Sequence, residues 1–466
     1  MVQIETKIQN KKNSLPHSPL NYNEIVHYLD SNWSVTTSLL AISQLDEHFE
    51  FISKKMDTAI ISGTSGKSTT IHFTCKLFQE EGLKVGAFYT PHTQSYNERF
   101  CINNEQISNK SFTDLANKVI QVAQNKNINT STKDILTMMA LIFFKENDVN
   151  LCLLENSGTF ALDPVLYCQA KIAAITRVVP LTAQYDTAAV FSNIMNIITP
   201  ETYFVSADQI KQNIQIMHQL VESKGGIWSM PIRKLTPLVY PFEQLHGRCA
   251  ALAERIAHLY IDNFLHKNKS GVITESLLNK PKGLRGRPTL EAKKISELNP
   301  KKTLEEFWTK TATTLPYRFQ VIKNDAPLVL LDNADSIDSL TNLFLGVRLL
   351  AYKQQFKNIS LIIGSHEGQF EDEDFIKQIR YFSKKTAGII ALCPIKETIG
   401  EKAKASWNEQ HMVNATKAAK IKTKSYKSFD ESFTQLKKTH NDHNSLIVIT
   451  GSHAIISEYL NYQEVV

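Results

Sequence analysis

The stretch "IISGTSGKSTT" places Lys67, Ser68 and Thr69 directly after the run Gly63, Thr64, Ser65 and Gly66. Residue types in this spacing suit a polyphosphate. Glycines let backbone N–H groups curl around phosphate oxygens, Lys67 brings a point charge to the outer phosphates, and the Ser68 hydroxyl is a ligand for Mg²⁺. Three further side chains stand where strand-like runs end, the position at which open α/β sheets bind ligands. They are Thr90 in "AFYTPH", Glu155 in "CLLEN" and Asp332 in "LLDNA". A hydroxyl and a carboxylate beside a phosphate loop make an oxygen-rich set that suits Mg²⁺. Each also has a plainer reading: Glu155 as a solvated carboxylate, Thr90 before Pro91 as a turn residue, Asp332 as a helix cap.

The loop needs a strand before it and a helix after it, and the sequence supplies both. Ala59, Ile60 and Ile61 read as a buried strand, and Thr69 to Phe78 has helical spacing. Further strand-like runs fall at 84–90, 149–155, 171–179 and 201–206, separated by helical patterns at 111–124, 133–146, 187–198 and 207–223. An amphipathic helix, "NYNEIVHYLDSN", precedes them. This alternation predicts βαβ units on a mostly parallel sheet. Residues 262–305, rich in Gly, Pro and Lys, read as a linker. Beyond it, strands at 327–333, 359–365, 387–393 and 445–452 with helices at 336–353 and 372–384 predict a smaller α/β domain. The expected organisation is a loose tail over 1–20, an ATP-binding domain over 21–300 and a second α/β domain over 301–466.

Length agrees with more than one core, at roughly 150 residues per domain. A hydrophobic share of 42%, a charged share of 21% and a net charge of +6 describe a globular chain whose lysines are scattered, which is weak support for nucleic-acid binding. Six cysteines, at 75, 101, 152, 168, 249 and 393, show no close pair and no metal spacing, as expected of reduced thiols in the cytoplasm. No run approaches the ~18 apolar residues of a membrane span, and the polar N-terminus has no signal-peptide core. The expected partners are therefore small molecules, with no nucleic acid or membrane, and the expected state is a monomer.

Several motifs follow one another between about Leu20 and Leu460: "LNYNEIVHYLD", "GTSGKST", "AFYTPHTQSYNERFCINNEQIS", "ILTMMALIFFKENDVNLCLLENSGTFALDPV", "LPYRFQVI", "VLLDNADSIDSL" and "VITGSHAIISEYL". In that order they resemble the folylpolyglutamate and dihydrofolate synthases, within the wider Mur ligase group of ATP-dependent amide ligases. The second is similar to the family's GTNGKGS-type phosphate loop. The third, the most specific, is similar to its (T/S)SPH loop with an NERI-like segment, and the fourth to a helix and strand ending on a Mg²⁺-binding Glu with an Asp eight residues on, the spacing of Glu155 and Asp163. The resemblance implies a Mur-ligase-type phosphate-loop domain followed by a smaller Rossmann-like domain. It implies ATP and Mg²⁺ as cofactors, with Ser68, Thr90 and Glu155 on the metal. Residues 63–69 would hold phosphates, with Lys67, Glu155 and Arg318 at the chemistry. Arg318, at the Arg of the family's PGRLE, would reach ATP from the second domain, together with Asp332 in a stretch similar to LLDGAHNPD. The implied activity joins a carboxylate to an amino acid, glutamate onto a folate-like pteroate, through an acyl phosphate.

Departures bear on that activity. The family has a "DH" pair, whose His binds a second Mg²⁺, where this chain has Leu181 and Thr182; its modifiable Lys falls at Ile194. Asn333, Asp335, Ser336 and Ile337 replace Gly, His, Asn and Pro of the LLDGAHNPD motif, and "FEQLHGRCAAL" lacks a clear adenine-contacting HQ-x-x-NA pattern. Losing one of two cations would remove several kcal/mol of transition-state stabilisation, by order of magnitude, unless another cation such as Arg177 replaces it. Two alternatives therefore stand beside the ligase: a nucleotide-binding relative with impaired catalysis and a regulatory or binding role, and a Mur-type ligase acting on another substrate.

Overall fold

The computed structural model describes residues 19–465 apart from 35–37, 158–161, 180–190, 193, 266–276, 279–302, 312–314, 324–325, 385, 387 and 397–404. Most of the expected tail and of the expected linker, with Leu181 and Thr182, therefore lies outside the described residues.

Two sheets organise the chain. Elements of the first run α1 (Tyr22–Ser31), α2 (Leu40–His48), β1 (Thr58–Ser62), α3 (Lys67–Glu80), β2 (Val85–Phe88), β3 (Phe100–Ile102), β4 (Glu105–Gln106), α4 (Asn109–Asn125), α5 (Thr132–Glu146), β5 (Leu151–Glu155), β6 (Ile172–Ile175), β7 (Tyr203–Ser206), α6 (Lys211–Ser223), β8 (Ile227–Trp228), α7 (Phe242–Tyr260) and α8 (Leu304–Thr311). The strand order is β4-β3-β2-β5-β1-β6-β7-β8, parallel except for the antiparallel edge β2-β3-β4. Successive residues of β1 face opposite layers, as strand geometry requires. Ile60 packs into the layer of α1, α2, α4 and α5, whereas Ala59 and Ile61 pack into that of α3, α7 and α8. With β5 and β6 as its neighbours, β1 is buried along its whole length, which explains its continuous apolar run.

The second sheet uses β9 (Gln320–Ile322), β10 (Leu328–Leu331), α9 (Ile337–Lys353), β11 (Asn358–Ile363), α10 (Asp372–Ser383), β12 (Ile390–Leu392), α11 (Glu409–Ala418), β13 (Thr423–Ser425), α12 (Phe429–Thr439), β14 (Ser445–Thr450) and α13 (His453–Val465). Its order is β13-β12-β11-β14-β10-β9, parallel except for β9. Here Leu328 and Leu330 face one core, and Val329 and Leu331 the other. The six cysteines are unpaired. Among the described residues no helix is long and apolar enough to cross a membrane.

Candidate active site at the phosphate loop

The turn between β1 and α3 has the geometry that its glycines permit. Gly63 has φ +128° and Gly66 φ +87°, both in territory that L side chains rarely adopt. A Cβ on Gly63 would stand 2.2 Å from Thr176 Oγ1 and 2.8 Å from the Arg177 carbonyl, so the loop lies directly against the end of β6. Thr64 seals this contact: its N–H donates to the Arg177 carbonyl at 2.7 Å, and its hydroxyl accepts from Val179 N at 2.9 Å. Ser65 forms an isolated bridge with Arg177. At the N-cap of α3, Gly66 offers no side-chain acceptor to the first helical N–H groups. Those donors, with the positive end of the helix dipole, are what a phosphate requires.

Glu155, ending β5, is 2% exposed and collects the donors around the loop. Ser68 Oγ donates to its carboxylate at 3.0 and 3.2 Å, Lys67 Nζ stands 3.9 Å away, and the Thr90 N–H lies at 3.4 Å. Burial raises the Glu155 carboxyl above its ordinary range, against the lowering pull of Lys67, Ser68, Arg318 and the Thr90 amide. A buried carboxylate flanked by a serine hydroxyl is a hard oxygen donor set, and it fits Mg²⁺. The Thr90 hydroxyl lies close by but accepts from Arg99 Nη1 at 3.1 Å. Arg99 itself is 1% exposed, donates to His92 Nδ1 at 2.8 Å, and lies over the rings of Trp33 and Tyr96.

Across from the loop stand groups of the second sheet. Arg318, on the turn before β9, lines a cavity of about 380 Å³ together with residues 64–70, Thr90, Glu155, Asp332 and Asn333. Asp332 accepts from Phe319 N at 2.7 Å and is pushed up to about 6 by burial, with Arg318 pulling the other way. His453, opening α13, joins the two halves. Its Nδ1 lies 3.1 Å from Thr93 Oγ1 while its Nε2 faces the Asn333 side-chain amide. Burial, reinforced by Arg318 and Arg99, holds His453 well below the usual imidazole range and therefore neutral.

The predicted residues are thus brought together, but not every one as expected. Arg177 follows β6, whereas Glu155 ends β5, on the opposite side of β1. Its Nη1 pairs with Asp338 of α9 at 2.9 and 3.0 Å, rather than reaching the Glu155 flank where a substitute for a metal would stand. Ile194 is buried among Phe191, Met195, Ile197 and Ile198. Asp163 serves backbone structure, accepting from Ser157 N and Val165 N. Sequence reasoning passed over His453, Arg99, Asp338 and Arg248. His453 carried a usable signal, because it follows a strand end just as Glu155 does. Asp338 carried none, since an acid in the first turn of a helix is commonplace.

No family model matches the chain. Among curated proteins, the dihydrofolate synthase/folylpolyglutamate synthase of Bacillus subtilis is 24% identical over 227 residues, covering 48% of this chain and 50% of that protein. A mitochondrial folylpolyglutamate synthase of Bos taurus is 33% identical over 101 residues, covering 20% of this chain and 17% of the relative. The matched stretches thus span half or less of these relatives' own length. Fold similarity reaches further: a folylpolyglutamate synthase of Mycobacterium tuberculosis complexed with ADP superposes with a TM-score of 0.73 at 16% identity, covering 95% of this chain and 98% of the other. The bifunctional folylpolyglutamate synthase/dihydrofolate synthase of Yersinia pestis gives 0.72 at 17% identity, covering 97% and 100%. By sequence over about half of its length, and by fold over nearly all of it, the chain is similar to the folylpolyglutamate and dihydrofolate synthases.

Proposed function

We propose that the chain is an ATP- and Mg²⁺-dependent ligase joining a carboxylate to an amino acid, with glutamate and a folate-like pteroate as the substrate pair. One observation carries this reading: Lys67 and Ser68 converge on the buried Glu155 at the mouth of a cavity that Arg318 and Asp332 close from the second sheet. In this reading the loop amides of residues 63–68 orient the triphosphate, and Lys67 neutralises charge at its outer end. Ser68 and Glu155, with Thr90 beside them, would hold Mg²⁺, which supplies further charge neutralisation when bound. Arg318 meets the nucleotide from the opposite wall, and Asp332 fixes the turn that carries it. The γ-phosphoryl group would pass from ATP to the substrate carboxylate with release of ADP, and the incoming amine would then attack the acyl phosphate, forming the amide and expelling inorganic phosphate and a proton. Such a site depends on positioning and excluded water. Ligase structures of the same fold, one of them with Mn, AMPPNP and L-glutamate bound, support the choice of reactants. The chain would act as a cytoplasmic monomer on small molecules, a compartment in keeping with its unpaired thiols.

The burial of Ile194 in an apolar cluster favours a second reading, in which nucleotide binds but ligation is impaired. Incubating the full chain with ATP, Mg²⁺, glutamate and a panel of pteroates, and following ADP release and product mass, separates the two. Ligated product supports the first. Nucleotide binding without product across the panel supports the second, and absence of nucleotide binding refutes both.

A further inference from the structure

Arg177 occupies an unusual position for a cation. Its backbone is part of the loop's own scaffold, through the Thr64 N–H and hydroxyl to its carbonyl at 2.7 and 3.1 Å and the bridge to Ser65. Arg177 lines the same cavity as the loop residues. Among the described residues both of its ionic contacts use one nitrogen, Nη1 to Asp338, so Nε and Nη2 keep their N–H groups for another acceptor. The side chain remains 42% exposed, open to whatever enters the cleft. Beside it Arg248, on α7, lines the cavity with a buried Nη1 that has no hydrogen-bond partner among the described residues. Burial works against Arg248 carrying its charge, and the Arg177 charge adds to that in smaller measure. Two guanidinium groups facing one cavity with unused donors call for an anion between or beside them.

The strand order says which part of a nucleotide that would be. Mg²⁺ and the terminal phosphate belong on the Glu155 flank of the loop. Arg177 and Arg248 lie on the β6 and α7 flank, on the other side of β1 from Glu155, which leaves the inner phosphates as the part of a nucleotide within their reach. We propose that Arg177 is a phosphate-contacting residue, a second fixed cation for the inner phosphates of the nucleotide. Asp338 then only steadies its guanidinium from across the cleft. This rests on the cleft taking a nucleoside phosphate, as proposed above.

The test is calorimetry of the full chain with Mg-ADP and Mg-ATP. It compares wild type, Arg177→Ala, Asp338→Asn and the double variant, with circular dichroism to show that each is folded. Arg177→Ala is expected to weaken both nucleotides tenfold or more. Asp338→Asn is expected to change either less than threefold, and Arg177→Ala to lose as much again in the Asp338→Asn background. If the ion pair were merely a latch between the two halves, the single variants would lose equally and the double no more than either, and that result overturns the assignment. Arg177→Ala binding within threefold of wild type overturns it as well. Failure of wild type to bind either nucleotide removes the nucleotide reading itself, and is distinguishable because no variant is needed to see it.

Discussion

Lys67→Met leaves the Glu155 carboxylate in a dry pocket without its ammonium. At 3.9 Å, with an effective dielectric constant near 20, the attraction removed is about 4 kcal/mol. Lys67 keeps 12% exposure, so solvent screens part of it, and the Ser68 hydroxyl and Thr90 amide still donate to the carboxylate. The expected net loss of stability is about 2–3 kcal/mol at pH 8. Its pH dependence has a definite sign. Burial holds the Glu155 carboxyl above its ordinary range, so the folded chain takes up this proton at a higher pH than the unfolded chain. Stability therefore falls as pH rises from the unfolded carboxylate range through the raised folded value, and Lys67→Met deepens that fall. Well below the unfolded carboxylate range, where the carboxyl is protonated in both states, the penalty is absent. Urea denaturation of wild type, Lys67→Met, Glu155→Gln and the double variant gives the coupling directly. Glu155→Gln should stabilise the nucleotide-free chain at pH 8 while abolishing Mg²⁺-dependent nucleotide binding, and should erase the penalty of Lys67→Met. A coupling energy within about 0.5 kcal/mol of zero would refute this electrostatic account of the loop.

Gly63→Ala should lower stability by about 3 kcal/mol or more and abolish nucleotide binding, because its Cβ would meet Thr176 Oγ1 at 2.2 Å on a backbone with φ +128°; thermal melts and calorimetry check both. Arg318→Ala should weaken Mg-ATP at least tenfold with the melting temperature nearly unchanged, since the guanidinium faces the cavity rather than a core. His453 is held neutral, so as pH falls below about 6.5 the unfolded chain gains a proton that the folded chain refuses, and stability declines. His453→Gln should flatten that decline relative to wild type between about pH 6.5 and 5, measured by urea midpoints at each pH.

The buried parallel strands were the most legible part of the chain. Runs such as "TAIIS" and "LCLLE" are apolar from end to end because both faces of the sheet are covered, and their last residues were found with them. β6 was read too long, over 171–179, because its apolar pattern continues past Ile175. The ladder stops at Thr176, where its hydroxyl bonds the Ser62 carbonyl and the chain turns to brace the loop. β9 was missed: three residues in an antiparallel edge pairing leave too short an alternation to recognise. The cross-cleft partners of the site were the least legible. His453 and Asp338 lie 360 and 161 residues from Thr93 and Arg177, a proximity that only the packing of two sheets creates.

The hydrogen bond from Phe319 to Asp332 gives β9 one more property. It fastens the turn carrying Arg318 to the end of β10, and the register of Gln320 opposite Leu331 leaves that turn little freedom to slide. Arg318 is therefore a pointer rigidly mounted on the second sheet, and its distance from Ser68 is a gauge of the angle between the two halves of the molecule. A spectroscopic label beside this turn would report that angle itself, because local loosening of the mount has been engineered out by a single amide and a single carboxylate.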